Sequence, residues 1–431
     1  MKVVAFLPAK GNSERVENKN VKLLDGKPLF LHNLEKLAEC EFIDEVYLDS
    51  ESDRIFELAS EVNCKFMHRD PSLATNKTDG HQLFFNEAKQ VDADIYVQLL
   101  GTSPFIKKAT IQKGIDILVK NTEYDSVVLV RKEKQYHWKD DQPMYDKFHI
   151  PNSFNLDDTV IETMGLYIVR NTVALEKQMR FGDKVFLLEA DALEAIDVNY
   201  PDDFELASYI AAGMREKDRQ LLRNMGQILT SCILSDILDD MEIKGVIRGM
   251  QLNMADKKVM GRAKTLKLRL LKDGEDFTGI YDALESYNTI VPSDVIVVQN
   301  ECDEYAYFGD LNANMALRAG AVGAVIGGKT RDYSAVKALN FPVFSTGYSC
   351  ADVRKRATTE SYNKRIIVQG IEVSPGDLIF GDNDGVVVIP QKYEDEVLKR
   401  AFESIEKEAK VRASITTGMQ AKNIVGKVGA F

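Results

Sequence analysis

The residues best suited to chemistry open the chain. Pro8-Ala9-Lys10-Gly11-Asn12-Ser13 follows the apolar run Val3-Val4-Ala5-Phe6-Leu7, and Arg15, Lys19 and Lys22 come soon after. Small residues let backbone N–H groups approach phosphates, and clustered cations neutralise them. A polyphosphate is the ligand this pattern suits. There is no Walker loop and no G-x-G-x-x-G fingerprint, so an exposed basic loop is the competing reading. A second group stands far downstream. Asp310 precedes an apolar helical segment, and Arg331-Asp332 follows Gly327-Gly328-Lys329-Thr330. A fixed Arg recognises a carboxylate through two parallel N–H bonds, and an adjacent Asp can bind magnesium directly or through water. Together they suit an α-keto acid whose enolate a metal stabilises. A structural Arg–Asp pair at a turn is the alternative.

Composition bounds these readings. The chain has 431 residues, 45% hydrophobic and 28% charged, which suggests a globular protein of two or three domains. A net charge of -12 argues against a general nucleic-acid binder. No apolar run is long enough to span a membrane, and the N-terminus lacks a signal-peptide pattern. Cys40, Cys64, Cys232, Cys302 and Cys350 form no CxxC pair, so reduced, cytoplasmic thiols are expected. All five histidines fall within the first 149 residues. Chemistry in the second half therefore rests on carboxylates, Arg, Lys, hydroxyls or backbone.

The elements that must position these groups alternate. Strands are expected at Val3–Leu7, Glu45–Leu48, Ile95–Leu100, Ser126–Val130 and Gly165–Val169. Helices are expected at Leu29–Cys40, Asp53–Val62, His81–Lys89 and Ala109–Lys120. This order implies a parallel, doubly wound sheet with its ligand at the strand C-terminal ends. Residues 131–156 break the rhythm, as a substrate flap or dimerisation arm would. Tyr200-Pro201-Asp202 signals a helix start to about Ala212. The charge-rich run 214–220 is expected to link domains 1–213 and 221–431. In the second domain a helix Leu221–Met241 leads into further strands and helices, and Tyr393–Arg412 reads as a charged helix.

Residues 1–212 resemble the acylneuraminate cytidylyltransferase (CMP–sialic acid synthetase) family. The resemblance rests on Pro8 to Ser13, Lys19-Asn20, Gly26-Lys27-Pro28-Leu29, Gln98 to Pro104, Ile196-Asp197 and Asp203, in order. It implies transfer of CMP from CTP to a 2-keto-3-deoxy sugar acid with release of pyrophosphate. Lys10, Gly11, Asn12, Ser13 and Lys19 would cradle the triphosphate, and Asn20 and Arg69 would help hold the nucleotide. Gln98, Thr102 and Ser103 would meet the sugar acid, and Asp197 would bind Mg2+. Lys19 and Asp197 are the catalytic candidates. Departures are Lys10 for the usual Arg, Gln98-Leu99-Leu100-Gly101 before Thr102-Ser103-Pro104, and Asn199 where many relatives carry a second acid.

Residues 221–400 are similar to the ribonuclease-activity-regulator and 4-hydroxy-4-methyl-2-oxoglutarate aldolase family. Ser235-Asp236, Gly309-Asp310-Leu311, Arg331-Asp332, Pro375-Gly376-Asp377 and Gly381 to Val387 carry this likeness. It implies that Arg331 holds a pyruvate-type keto acid, Asp332 binds Mg2+, and Asp310 moves a proton through water. Backbone N–H groups of Leu311 and Asn312 would complete that site. The expected fold is α/β: an N-terminal doubly wound, Rossmann-like nucleotidyltransferase domain and a C-terminal α/β swivelling-type domain. A homo-oligomer is expected, dimeric through the first domain and trimeric or hexameric through the second. Alternatives are a non-catalytic second domain, or a phosphonate as the acceptor of CMP.

Overall fold

Val3–Pro8 lies at the heart of its sheet because five consecutive apolar residues bury both faces of one short strand. The computed structural model describes residues 1–13, 16–75, 77–420 and 422–424; Arg15 and the tail that ends in Phe431 lie outside the described residues. The chain divides into two units, Met1–Ala212 and Gly213–Phe431.

In the first unit seven strands form one sheet, in the order Val185–Glu189, Ser126–Glu133, Thr159–Arg170, Ile95–Leu99, Val3–Pro8, Glu45–Ser50 and Lys65–His68. Helices Leu29–Ala38 and Lys108–Lys120 cover one face and Gly80–Ala88 the other, so apolar cores lie on both sides. This is the doubly wound architecture, with one correction. Thr159–Arg170 runs antiparallel to both its neighbours. The excursion over 131–158 returns the chain without a helical crossover, and a crossover is what a parallel neighbour requires. Within that excursion, Trp138–Lys139 pairs with Gln142–Pro143 across Asp140 and Asp141, both at positive φ. Edge strands Lys65–His68 and Val185–Glu189 were not expected, since each is only partly buried and carries a weak apolar pattern.

The second unit is built on four parallel strands, Val259–Leu270, Asp294–Asn300, Gly323–Thr330 and Val343–Tyr348. Leu378–Gly381 and Val386–Ile389 extend the sheet antiparallel. Helices Asp310–Ala319 and Tyr333–Ala338 begin at the C-terminal ends of parallel strands, where ligand sites of such sheets form.

Residues 214–220, expected to link the domains, are helical and follow directly on the division between the two units. They lie inside one helix, Pro201–Ile228. The run is made of helix-forming residues, contains no proline, and pairs Glu216 with Arg219 one turn on, at 3.1 Å. The expected helix Leu221–Met241 is instead interrupted at Leu229 and Thr230. Thr230 caps the next helix, Ser231–Asp240, by accepting the Ile233 N–H at 3.3 Å. No helix among the described residues is long and apolar enough to cross a membrane.

Candidate functional site

In the first unit the loop after Val3–Pro8 is pinned from two sides. The Asn20 side chain donates to the Lys10 carbonyl at 2.7 Å, and the Gly11 N–H donates to Glu51 Oε1 at 2.7 Å. A Cβ at Gly11 would sit 2.6 Å from Ser52 Cβ, so the close approach requires glycine. Asn12 is exposed and Ser13 buried.

Lys19, buried at the other end of this segment, donates from Nζ to the Val198 carbonyl at 2.7 Å. The Val198 N–H donates to the Thr102 carbonyl at 2.9 Å. Ser103 Oγ donates to Asp197 Oδ1 at 3.3 Å, and the Asn199 amide donates to Asp197 Oδ2. Ser103 fits because Gly165 has no side chain; a Cβ there would lie 2.6 Å from Ser103 Oγ. The fold thus brings Lys19, Thr102, Ser103 and Asp197 together, and Asn20, next to Lys19 in the chain, ties them to the Lys10–Ser13 loop through its bond to the Lys10 carbonyl. The Asp197 carboxylate is held by two neutral donors.

Gln98 and Arg69 lie elsewhere. Gln98 is fully buried inside Ile95–Leu99 and donates to Glu87 Oε2 at 2.6 Å, on the face covered by Gly80–Ala88. Strand alternation turns it away from the loop that carries Thr102 and Ser103. Arg69 is buried and doubly bonded to Asp49 Oδ2, at 2.9 and 2.6 Å, and stands 4.0 Å from Glu51. It supports the Glu51 carboxylate that holds Gly11. Glu51 carries no local motif and was not anticipated.

Burial, with the Asp49 carboxylate second, raises the Glu87 carboxyl well above the ordinary glutamate range. A raised folded-state value favours the protonated fold. Its stabilising contribution is complete below the unfolded glutamate pKa and is lost as pH rises through the folded one. Glu87→Gln replaces the proton by an amide. The variant should therefore lose less stability than wild type between acid and neutral pH, read from urea midpoints. Identical pH slopes for the two proteins would contradict this.

In the second unit the Asp310 N–H donates to Asp332 Oδ2 at 3.3 Å, and Arg331 Nε lies 3.5 Å from the same oxygen. Arg331 Nη1 pairs with Asp352 at 2.6 Å. Asp352 comes from an irregular loop 21 residues further on, so no spacing signalled it. Asp332 adopts φ +56°, the strained left-handed region, at the start of Tyr333–Ala338. Leu311 exposes its side chain, and Asn312 donates its side-chain amide to the Tyr287 hydroxyl at 3.0 Å. Their backbone N–H groups lie in the first turn of Asp310–Ala319, where helices leave donors without intrahelical partners. Burial pushes the Tyr287 hydroxyl up to about 12, which keeps it neutral beneath this turn.

Gly309 has φ −140°, open to any residue, so space is what demands glycine here. A Cβ would overlap Asp332 Oδ2 and lie 3.3 Å from Arg331 Nε. Gly309→Ala should displace the Asp332 carboxylate, and a crystal structure of the variant with Asp332 unmoved would refute this.

Among the described residues no three His, Cys, Asp or Glu side chains cluster as a metal cage. Single carboxylates at Asp197 and Asp332 still fit a hard cation that completes its shell with substrate oxygens and water.

The first unit has the fold of an α/β nucleotidyltransferase and the second that of the α/β swivelling type. Residues 4–178 match the cytidylyltransferase profile and residues 231–388 the RraA-like, Aldolase/RraA profile. A Halalkalibacterium halodurans protein, provisionally assigned as a 4-hydroxy-4-methyl-2-oxoglutarate aldolase, is 34% identical over 203 residues, 46% of this chain and 91% of its own length. The N-acylneuraminate cytidylyltransferase of Escherichia coli is 25% identical over 228 residues, 51% of this chain and 54% of its own. Protein DlpA of Legionella pneumophila is 28% identical over 199 residues, 45% of this chain and 32% of its own. This chain therefore spans about a third of DlpA and about half of the Escherichia coli enzyme. The chain belongs to the Aldolase/RraA family through its second unit, and its first unit is similar to cytidylyltransferases, among them the N-acylneuraminate cytidylyltransferase of Escherichia coli.

Proposed function

We propose that the first unit transfers CMP from CTP to a 2-keto-3-deoxy sugar acid. The observation that supports this reading most is the convergence of Lys19, Thr102, Ser103 and Asp197 beside the Lys10–Ser13 loop. Lys10, Gly11, Asn12, Ser13 and Lys19 cradle the triphosphate, and Asn20 fixes the loop. Arg69 acts from beneath through Glu51. Thr102 and Ser103 orient the anomeric hydroxyl, with Gln98 as buried support. The hydroxyl oxygen bonds to the α-phosphorus, the bond to the pyrophosphate oxygen breaks, and the hydroxyl proton is lost. Alignment and charge neutralisation supply most of the acceleration. Mg2+, held by Asp197 with phosphate oxygens, would add neutralisation of the developing charge. Pyrophosphate release from CTP, assayed across a panel of ulosonates and a phosphonate, tests the reading. Release with the phosphonate alone refutes the sugar-acid assignment.

For the second unit we propose metal-dependent retro-aldol release of pyruvate from 2-keto-4-hydroxy acids. Arg331 binds the carboxylate, Leu311 and Asn312 donate backbone N–H groups, and Asp310 moves a proton through water. Mg2+ at Asp332 would supply Lewis acidity toward the keto oxygen. One observation favours a non-catalytic module instead: Arg331 is already paired with Asp352. Mg2+-dependent pyruvate release that Asp332→Ala abolishes, with cytidylyl transfer intact, excludes the module.

Both activities suit the cytoplasm, where CTP is available and five unpaired cysteines stay reduced. The exposed Phe148 and Phe154, on the arm over 131–158, support dimerisation through the first unit. A trimer or hexamer through the second completes the proposal, to be tested by light scattering.

A further inference from the structure

The turn that carries Thr102 and Ser103 begins with Leu100-Gly101, with no proline before Thr102. Proline restrains a loop and glycine frees it. Helix Leu29–Ala38 passes close to Gly101; a Cβ there would lie a tight 3.3 Å from both Cα and Cβ of Phe30. Something else must hold the turn.

Two residues of that helix do so. Asn33 is fully buried and donates from Nδ2 to two carbonyls of the turn, Leu100 at 2.8 Å and Ser103 at 2.9 Å. Lys36, one helical turn on, donates from Nζ to Asn33 Oδ1 at 2.7 Å and to the Pro104 carbonyl at 2.9 Å. The pair therefore binds the turn at its beginning, at Ser103 and at its end. Lys36 also orients Asn33, since occupying Oδ1 leaves Nδ2 facing the turn. Neither residue has a direct contact with Asp197 or Lys19 among the hydrogen bonds of this site.

We propose that Asn33 and Lys36 are positioning residues for cytidylyl transfer, holding residues 100–104 so that Ser103 and Asp197 keep one arrangement during the reaction. The proposal rests on the assignment of the first unit as a sugar-acid cytidylyltransferase.

Electrostatics provide a signature that mere structural support lacks. Burial lowers the Lys36 ammonium to about 8. Cys40 and Glu39 of its own segment, Glu194 from the loop before Asp197, and Lys108 of the neighbouring helix surround it; Cys40 and Glu194 oppose the lowering and Lys108 adds to it. Losing that proton leaves a neutral amine with fewer donors and no charge assistance. Turnover should fall as pH rises through about 8.

The experiment is steady-state pyrophosphate release by the full chain with CTP and the best ulosonate. Asn33→Asp keeps the shape and a partner for Lys36 but removes both donors to the turn. It should lower kcat ~10-fold or more, with the CTP KM changed less than about twofold. Lys36→Arg should retain activity and lose the alkaline fall, because guanidinium stays charged. Lys36→Met should show a lower, pH-flat kcat over the same range. Should Asn33→Ala fail to fold, Asn33→Asp and Lys36→Met carry the test. An Asn33→Asp kcat equal to that of wild type, or an alkaline limb unmoved in Lys36→Arg, overturns the positioning role while leaving the transferase reading intact. A wild type that releases no pyrophosphate with any ulosonate overturns both.

Discussion

Asp197→Asn is expected to reduce cytidylyl transfer ~10²–10³-fold, because the proposed anionic ligand, worth ~3–4 kcal/mol of charge stabilisation, becomes a neutral amide. The loss should appear in kcat at saturating CTP. Protein stability should change little, since the side-chain hydrogen bonds of Asp197 among the described residues come from Ser103 and Asn199, and an amide of the same shape can still accept from Ser103. The amide group of the new Asn would face the Asn199 donor unless one of the two side chains rotates. The metal dependence carries a second readout. Asn199→Asp adds the acid that many relatives have two residues after the first. It should lower the Mg2+ concentration needed for half-maximal turnover. An Asp197→Asn enzyme that keeps more than half of wild-type turnover at all Mg2+ concentrations would remove Asp197 from the metal site.

Arg331→Lys is expected to lower kcat/KM for pyruvate release ~30–150-fold, the equivalent of ~2–3 kcal/mol, while leaving cytidylyl transfer unchanged. An ammonium retains the charge but cannot present two parallel N–H bonds to a carboxylate. Asp352 complicates the substitution in an informative way. It pairs with Nη1 of Arg331, whose Nε lies 3.5 Å from Asp332 Oδ2. Asp352→Asn should therefore weaken keto-acid binding less than Arg331→Lys does, by loosening the guanidinium rather than removing it. Equal effects of the two substitutions would indicate that Arg331 serves Asp352 structurally, as in the module reading. Pyruvate release that survives Arg331→Lys undiminished would exclude Arg331 as the carboxylate anchor.

Much of the fold could be read from the chain because local chemistry specified it. The buried strands Val3–Pro8 and Ile95–Leu99 and the helices after them carry short apolar runs and amphipathic stripes that leave few other structures available. The helical form of the run 214–220 was not legible because charge density marks a solvated surface, and a solvated surface belongs to helices as readily as to irregular segments. The antiparallel course of Thr159–Arg170 was hidden because a strand pattern carries no direction. Direction was decided by how the excursion before it returned.

The sites divide along the same line. Lys10 to Ser13, Lys19, Thr102-Ser103 and Asp197, and likewise Asp310 and Arg331-Asp332, are candidates that the sequence alone proposes, since residue type and order within short segments mark them. Only tertiary structure decided that Glu51 holds Gly11, that Asp352 orients Arg331, and that Asn33 and Lys36 tie down the Ser103 turn. It also decided that Gln98 faces Glu87 instead of a substrate. The physical reason is range. Hydrogen bonds and ion pairs act over a few ångströms, and residues 11 to 70 positions apart come within that reach only when strand register and helix packing bring them there.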